Sequence, residues 1–129
     1  MIFNQEADYA IRIVSLLAET DGRLDAKTIA QETGVTERFT LKILHRLVGN
    51  GIVKSYKGNK GGYELARPAE EITLLDVVED ICGGLEFSRC QGSECGCTHP
   101  KGLCRFYSVF DKVSRNIRET FAATNFGNK

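Results

Sequence analysis

The chain has 129 residues, 42% of them hydrophobic and 26% charged, and its 17 basic side chains cancel its 17 acidic ones. That length and balance suit one globular domain with its own core, and no run approaches the roughly 18 apolar residues of a membrane span. The opening Met-Ile-Phe-Asn-Gln-Glu-Ala-Asp lacks the basic start and apolar stretch of a signal peptide, so the chain is expected in the cytoplasm, with no membrane partner. Thiols stay reduced there, and clustered cysteines bind metal or do redox work more often than they form disulfides.

Residues 5–19 predict an amphipathic helix. Ala7, Ala10, Ile11, Val14, Leu17 and Ala18 recur at helical spacing, Asn4 is placed to cap it, and Asp8, Arg12, Ser15 and Glu19 line the other face. Asp8 and Arg12, four apart, suit a surface ion pair. After Asp21-Gly22, Asp25 caps a short helix over 26–33 that turns Ile29 and Ala30 inward. Gly34 supplies a turn, and Thr36 caps a third helix over 37–50, with Phe39, Ile43, Leu44 and Leu47 as its apolar positions. Two helices joined by a short glycine-containing turn, the second carrying Arg38, Lys42 and Arg46, predict a helix-turn-helix whose second helix enters the major groove of DNA.

Gly51 ends that helix. Residues 52–56 read as a strand, 57–62 as a turn and 63–66 as the returning strand, so a β-hairpin follows the helix-turn-helix directly and forms a wing. From Arg38 to Arg67 there are seven Lys and Arg residues against one acid, Glu64. Such a basic stripe in a neutral chain points to a polyanion, here double-stranded DNA. Arg38, Thr40 and Lys42 are assigned to the major groove, and Lys54, Lys57 and Lys60 to phosphate or the minor groove.

Pro68 closes the wing. Thr73-Leu-Leu-Asp76 resembles a capping box and opens a helix over 74–82, with Leu74, Val77, Val78 and Ile81 buried and Cys82 a small core residue. Beyond Gly83-Gly84 lies Cys90-Gln-Gly-Ser-Glu-Cys95-Gly-Cys97-Thr-His99-Pro-Lys-Gly-Leu-Cys104, which holds four of the five cysteines in 15 residues and has no apolar periodicity. A loop without a core of its own carries thiols because something binds them. Soft, anionic thiolates suit iron–sulfur clusters. Structural zinc on these cysteines and His99 is the alternative, and a metal-free thiol redox switch a further one. Neither a C-x-x-C motif nor a nucleophile–base set nor a phosphate loop is present, so no enzyme is expected. In the last helix, over 103–123, Phe106, Phe110, Val113, Ile117 and Phe121 recur at steps of four, three, four and four. That is close to the coiled-coil repeat and predicts pairing with a second copy, a homodimer that reads a pseudo-palindromic operator. Residues 125–129 are expected to fray.

The predicted fold is mainly α with a small β-hairpin: a winged helix-turn-helix over 1–68, then a cysteine loop and long dimerisation helix over 69–129, within one compact domain. The pattern resembles the Rrf-type regulators, the winged-helix family that includes IscR and NsrR. The likeness runs through Ala7-Asp8-Tyr9-Ala10-Ile11-Arg12, Ile29-Ala30, Gly34-Val35, Leu47, Gly51-Ile52-Val53, Gly58, the segment Gly61-Gly62-Tyr63-Glu64-Leu65-Ala66-Arg67-Pro68, and Ile72-Thr73-Leu74-Leu75-Asp76-Val77-Val78, and it closes on the cysteine loop. The resemblance implies a homodimeric transcription factor, a repressor, with an iron–sulfur cluster held by three loop cysteines of each subunit: Cys90, Cys97 and Cys104, with Cys95 as the alternative middle ligand. Some members add a His three residues after the last cysteine, where this chain has Tyr107. The nitric-oxide-sensing members instead use an Asp from the partner's first helix, the position of Asp8. With Asp8 as fourth ligand, the resemblance implies a [4Fe–4S] rather than a [2Fe–2S] cluster. The spacing departs from the family pattern, with six residues between Cys97 and Cys104 rather than five, and with Cys95 extra.

Overall fold

The computed structural model describes residues 5–83 and 105–127. Asn4, Gly84, the cysteines of the loop, His99 and the start of the last predicted helix lie outside the described residues. Three helices come first: α1 (Gln5–Glu19), α2 (Ala26–Thr33) and α3 (Glu37–Gly49). The caps form where local chemistry requires them. Asp25 accepts from the Thr28 amide at 2.7 Å, and Thr36 accepts from the Phe39 amide at 3.3 Å. The hydrogen bonds hold the Asp25 carboxyl below its usual range. Gly34 ends α2 with φ +74°, and its amide bonds the Ala30 carbonyl.

The wing is β1 (Val53–Tyr56) paired antiparallel with β2 (Gly62–Leu65), in register Val53 to Leu65 and Tyr56 to Gly62. A third backbone segment joins it. Leu24 exchanges both bonds with Tyr63, at 3.1 and 2.7 Å, and so ties the α1–α2 connection to the hairpin. Gly62 sits at φ +141°, where a Cβ would lie 2.8 Å from the Leu24 carbonyl oxygen, so this crossing leaves no room for a side chain. A 3₁₀ turn over Ala69–Glu71 leads into α4 (Leu74–Cys82). The capping box is complete: Thr73 Oγ1 accepts from the Asp76 amide at 3.1 Å, and Asp76 Oδ2 accepts from the Thr73 amide at 3.0 Å.

One core joins these elements. Ala7, Ala10, Ile13, Val14 and Leu17 of α1 pack with Ile29, Ile43, Leu44, Leu47, Val53, Val77 and Ile81. Helix α1 touches α2, α3 and α4, so more of its circumference is covered than one stripe provides. That is why Ile13 is buried, which the spacing did not anticipate, and why Ile11 is only half-buried. Cys82 is half-buried against the same core.

The last helix, α5 (Arg105–Ala122), packs on α4 and ties to it through Arg118 and Glu79, 2.7 Å apart. Its one buried residue is Ser114, 5% exposed. Phe106 and Val109 stand 58% and 56% exposed. The expected fraying of the C-terminus is overturned for residues 125–127. The Phe126 amide donates to the Ile72 carbonyl at 3.2 Å, Asn125 pairs with Thr73, and the Phe126 ring packs on the core, because a large aromatic gains more by burial than the short tail loses in entropy. Among the described residues no helix is long and apolar enough to cross a membrane.

Candidate nucleic-acid interface

Helix α3 divides cleanly into two faces. Thr40, Ile43, Leu44 and Leu47 are buried, at i, i+3, i+4 and i+7. Opposite them, Arg38, Leu41, Lys42 and His45 are exposed at the same spacing. The assignment of Thr40 to the major groove is therefore wrong. Thr40 is fully buried and its hydroxyl has no hydrogen-bond partner among the described residues, so it packs the core and cannot reach a base. Phe39, expected inside, is 41% exposed and lies edge-on to Tyr9 of α1, with ring centroids 6.0 Å apart.

The basic stripe is only partly available to a polyanion. Lys42 Nζ donates to Glu6 Oε1 at 3.0 Å, and Arg46 reaches the same carboxylate at 4.0 Å. Arg46 also donates to the Asp80 carbonyl at 2.7 Å, and Asn50 donates to the Asp80 carboxylate, so the end of α3 is fastened to α4. Burial pushes the Asp80 carboxyl above its usual range, against the lowering pull of Arg46 and Asn50. Arg67 leans toward Asp76 at 3.8 Å. Among the described residues, Arg38, Lys54, Lys57 and Lys60 have no acidic partner within ion-pair distance. Arg38 lies in the first turn of α3, and the three lysines lie on the wing.

The wing is braced by side chains from outside the hairpin as well as within it. The Arg23 guanidinium stacks on the Tyr56 ring, 3.4 Å from its centroid, and donates to the Lys60 carbonyl at 3.2 Å. Tyr56 in turn donates to Glu64 at 2.7 Å, and that bond raises the phenol above its ordinary range. Gly61 is enclosed: a Cβ there would lie 2.5 Å from the Tyr56 carbonyl oxygen. The hairpin tip is thus a fixed platform for Lys57 and Lys60. No local pattern signals Arg23, because its contacts exist only once Leu24 has paired with Tyr63.

Asp8 pairs with Arg12 at 3.0 Å on the exposed side of α1, as the i,i+4 spacing allows. Arg12 also donates to the Thr33 carbonyl at 3.4 Å, at the last residue of α2. Among the described residues no three His, Cys, Asp or Glu side chains come together as a metal site.

Comparison with known proteins agrees with this architecture. Residues 3–128 match the model of the Rrf2 family, described as iron-dependent transcriptional regulators. The chain belongs to the Rrf2 family. Its relatives are transcriptional regulators and not enzymes. Protein aau3 of Rhizobium meliloti (strain 1021) is 40% identical over 80 residues, which are 61% of this chain and 52% of that protein. The chain spans about half the length of the curated relatives it matches. Among Rrf2-like solved structures, T. potens IscR superposes with a TM-score of 0.78 at 24% identity, covering 96% of this chain and 82% of that one. CymR, the global cysteine regulator of B. subtilis, superposes at 0.79 with 21% identity, covering 96% and 92%. These likenesses fix the fold as a winged helix with a two-stranded wing.

Proposed function

We propose that this Rrf2 protein is a DNA-binding repressor that acts as a homodimer on a pseudo-palindromic operator and senses nitric oxide, redox state or iron–sulfur status through a cysteine-ligated iron–sulfur cluster. The observation that carries the reading is the outward face of α3 standing on a winged helix whose Arg38, Lys54, Lys57 and Lys60 lack acidic partners among the described residues. Arg38 and Lys42 are the groove-facing cations, and the wing lysines hold phosphate or enter the minor groove. Lys42 gives one of its three N–H donors to Glu6 and keeps the others for the duplex.

The donor set fits an iron–sulfur cluster. Cys90, Cys97 and Cys104 would supply thiolates, with Cys95 as the alternative to Cys97, and Asp8 of the partner subunit would supply a carboxylate, the set that the resemblance to the nitric-oxide-sensing members implies for a [4Fe–4S] centre. When bound, such a cluster supplies a centre reactive toward oxidants and nitric oxide. What this chain contributes is a connection. Drawing Asp8 into another bond takes it from Arg12, and Arg12 is the side chain that links α1 to the end of α2, next to the Gly34 turn that aims α3. A change at Asp8 is thereby felt at the DNA reader.

Anaerobic purification with a visible spectrum and analysis of iron, acid-labile sulfide and zinc tests this reading. A coloured protein with iron and sulfide is expected, and Asp8→Ala should make the cluster labile while dimers persist. A colourless protein with stoichiometric zinc would instead make the loop a zinc-stabilised element. Metal-free protein whose DNA binding follows thiol oxidation would make it a redox switch.

A further inference from the structure

We propose that Arg23, which lies outside both the helix-turn-helix and the wing hairpin, is a positioning residue that presets the wing tip for the duplex. The inference rests on the DNA-binding reading above and adds to it a residue that acts through Lys57 and Lys60. A two-stranded hairpin is marginal on its own, and the tip of this one, residues 57–61, buries no side chain. Its own backbone contributes the bond from the Gly61 amide to the Gly58 carbonyl, at 2.9 Å. Arg23 reaches the tip from the α1–α2 connection at two points. Its guanidinium covers the Tyr56 ring, 3.4 Å from the centroid, and its Nη1 donates to the Lys60 carbonyl at 3.2 Å. Tyr56 precedes Lys57 in the chain, so the two contacts bracket both tip lysines.

The next two residues tie the same run of chain to the DNA reader. Leu24 pairs with Tyr63 through both backbone bonds, and Asp25 caps α2, the first helix of the helix-turn-helix. Residues 23–25 thus hold the tip against the reader. A tip held in this way has already lost the freedom that phosphate contact would otherwise remove on binding, so Arg23 adds affinity without touching the duplex. Lysine cannot replace it, because a compact ammonium has no plane to lie on the ring and no fork to bond the carbonyl at the same time.

The test uses the full chain purified without oxygen and a duplex selected from randomised sequences. Arg23 is exposed, so Arg23→Ala and Arg23→Lys are expected to fold. In the free protein both should speed hydrogen exchange of the amides at 58–61. Both should lower DNA affinity about fivefold, the order of one immobilised side chain, and keep the wild-type slope of log affinity against log salt. In a chain that already carries Lys57→Ala and Lys60→Ala, Arg23→Ala should cost nothing further. Unchanged exchange at the tip would overturn the proposal. So would a slope flattened by about one in Arg23→Ala and restored in Arg23→Lys, which would make Arg23 a phosphate contact in its own right. A loss of the same size without the tip lysines would overturn it too, and in all three cases the DNA-binding reading stands. A wild type that retains no duplex at all would overturn both.

Discussion

Thr40 shows how one side chain decides what a face can do. Its hydroxyl lies in the core with no partner among the described residues, at a cost of about 1–3 kcal/mol for a buried unsatisfied polar group. Valine has nearly the same shape and no such group. Thr40→Val is expected to raise stability by about 1 kcal/mol, seen as a rise of about 3–5 °C in melting temperature for a chain of this size. DNA affinity and base preference should stay as they are. A shifted preference in a binding-site selection would return Thr40 to the groove. The sequence held the signal: positions 40, 43, 44 and 47 follow the helical repeat more closely than 39, 43, 44 and 47 do. Hydrophobicity alone favoured Phe39, whose ring instead finds Tyr9 on a different face of the helix.

At the level of elements, what was legible is what is local. The bounds of α2 and α4 and the caps at Asp25, Thr36 and Thr73 could be read because each depends on residues within three positions of one another. Contacts between distant residues could not: Arg23 on Tyr56, Glu6 on Lys42, and Phe126 on Ile72 each join elements brought together only by the finished core. The same distinction separates the wing's charge from its rigidity. Charge was legible in Lys54, Lys57 and Lys60, whereas the brace at Arg23 was not. Because Lys57 and Lys60 are held on a fixed tip, replacing both by alanine should remove about two phosphate contacts. The slope of log affinity against log salt should then flatten by about two, equally for all DNA sequences. Titrations of a duplex over a range of potassium chloride concentrations measure this directly, and an unaltered slope would mean that the wing tip stands clear of the backbone. The cysteine loop is a different case: its residue types argue for a metal, while the described residues reach only its two ends, Gly83 and Arg105.

For the molecule as a whole, the question is what covers α5. Among the described residues, this 18-residue helix buries only Ser114 and leaves Phe106 and Val109 more than half exposed, a face open to a packing partner. Its apolar positions Phe106, Phe110, Val113, Ile117 and Phe121 keep to steps of three and four, the repeat that lets one helix seat on another copy of itself. Contact with α4 accounts for one side, and the exposed pair marks the other. A second copy fits better than a loose end, since a reader of two half-sites needs its α3 helices held at a fixed separation near 34 Å or a multiple of it. Val109→Glu with Phe106→Glu should therefore give monomers in sedimentation velocity, because two charges on this face would meet like charges across a two-fold axis. Both side chains are exposed in the single chain, so the helical signal in circular dichroism should be retained. Affinity for a palindromic duplex should fall by about 10²-fold or more, the loss expected when two half-sites are no longer engaged together, while affinity for a single half-site is kept. Dimers that survive both charges would place the subunit contact elsewhere. A monomer that kept full affinity for the palindrome would show that the two readers act independently.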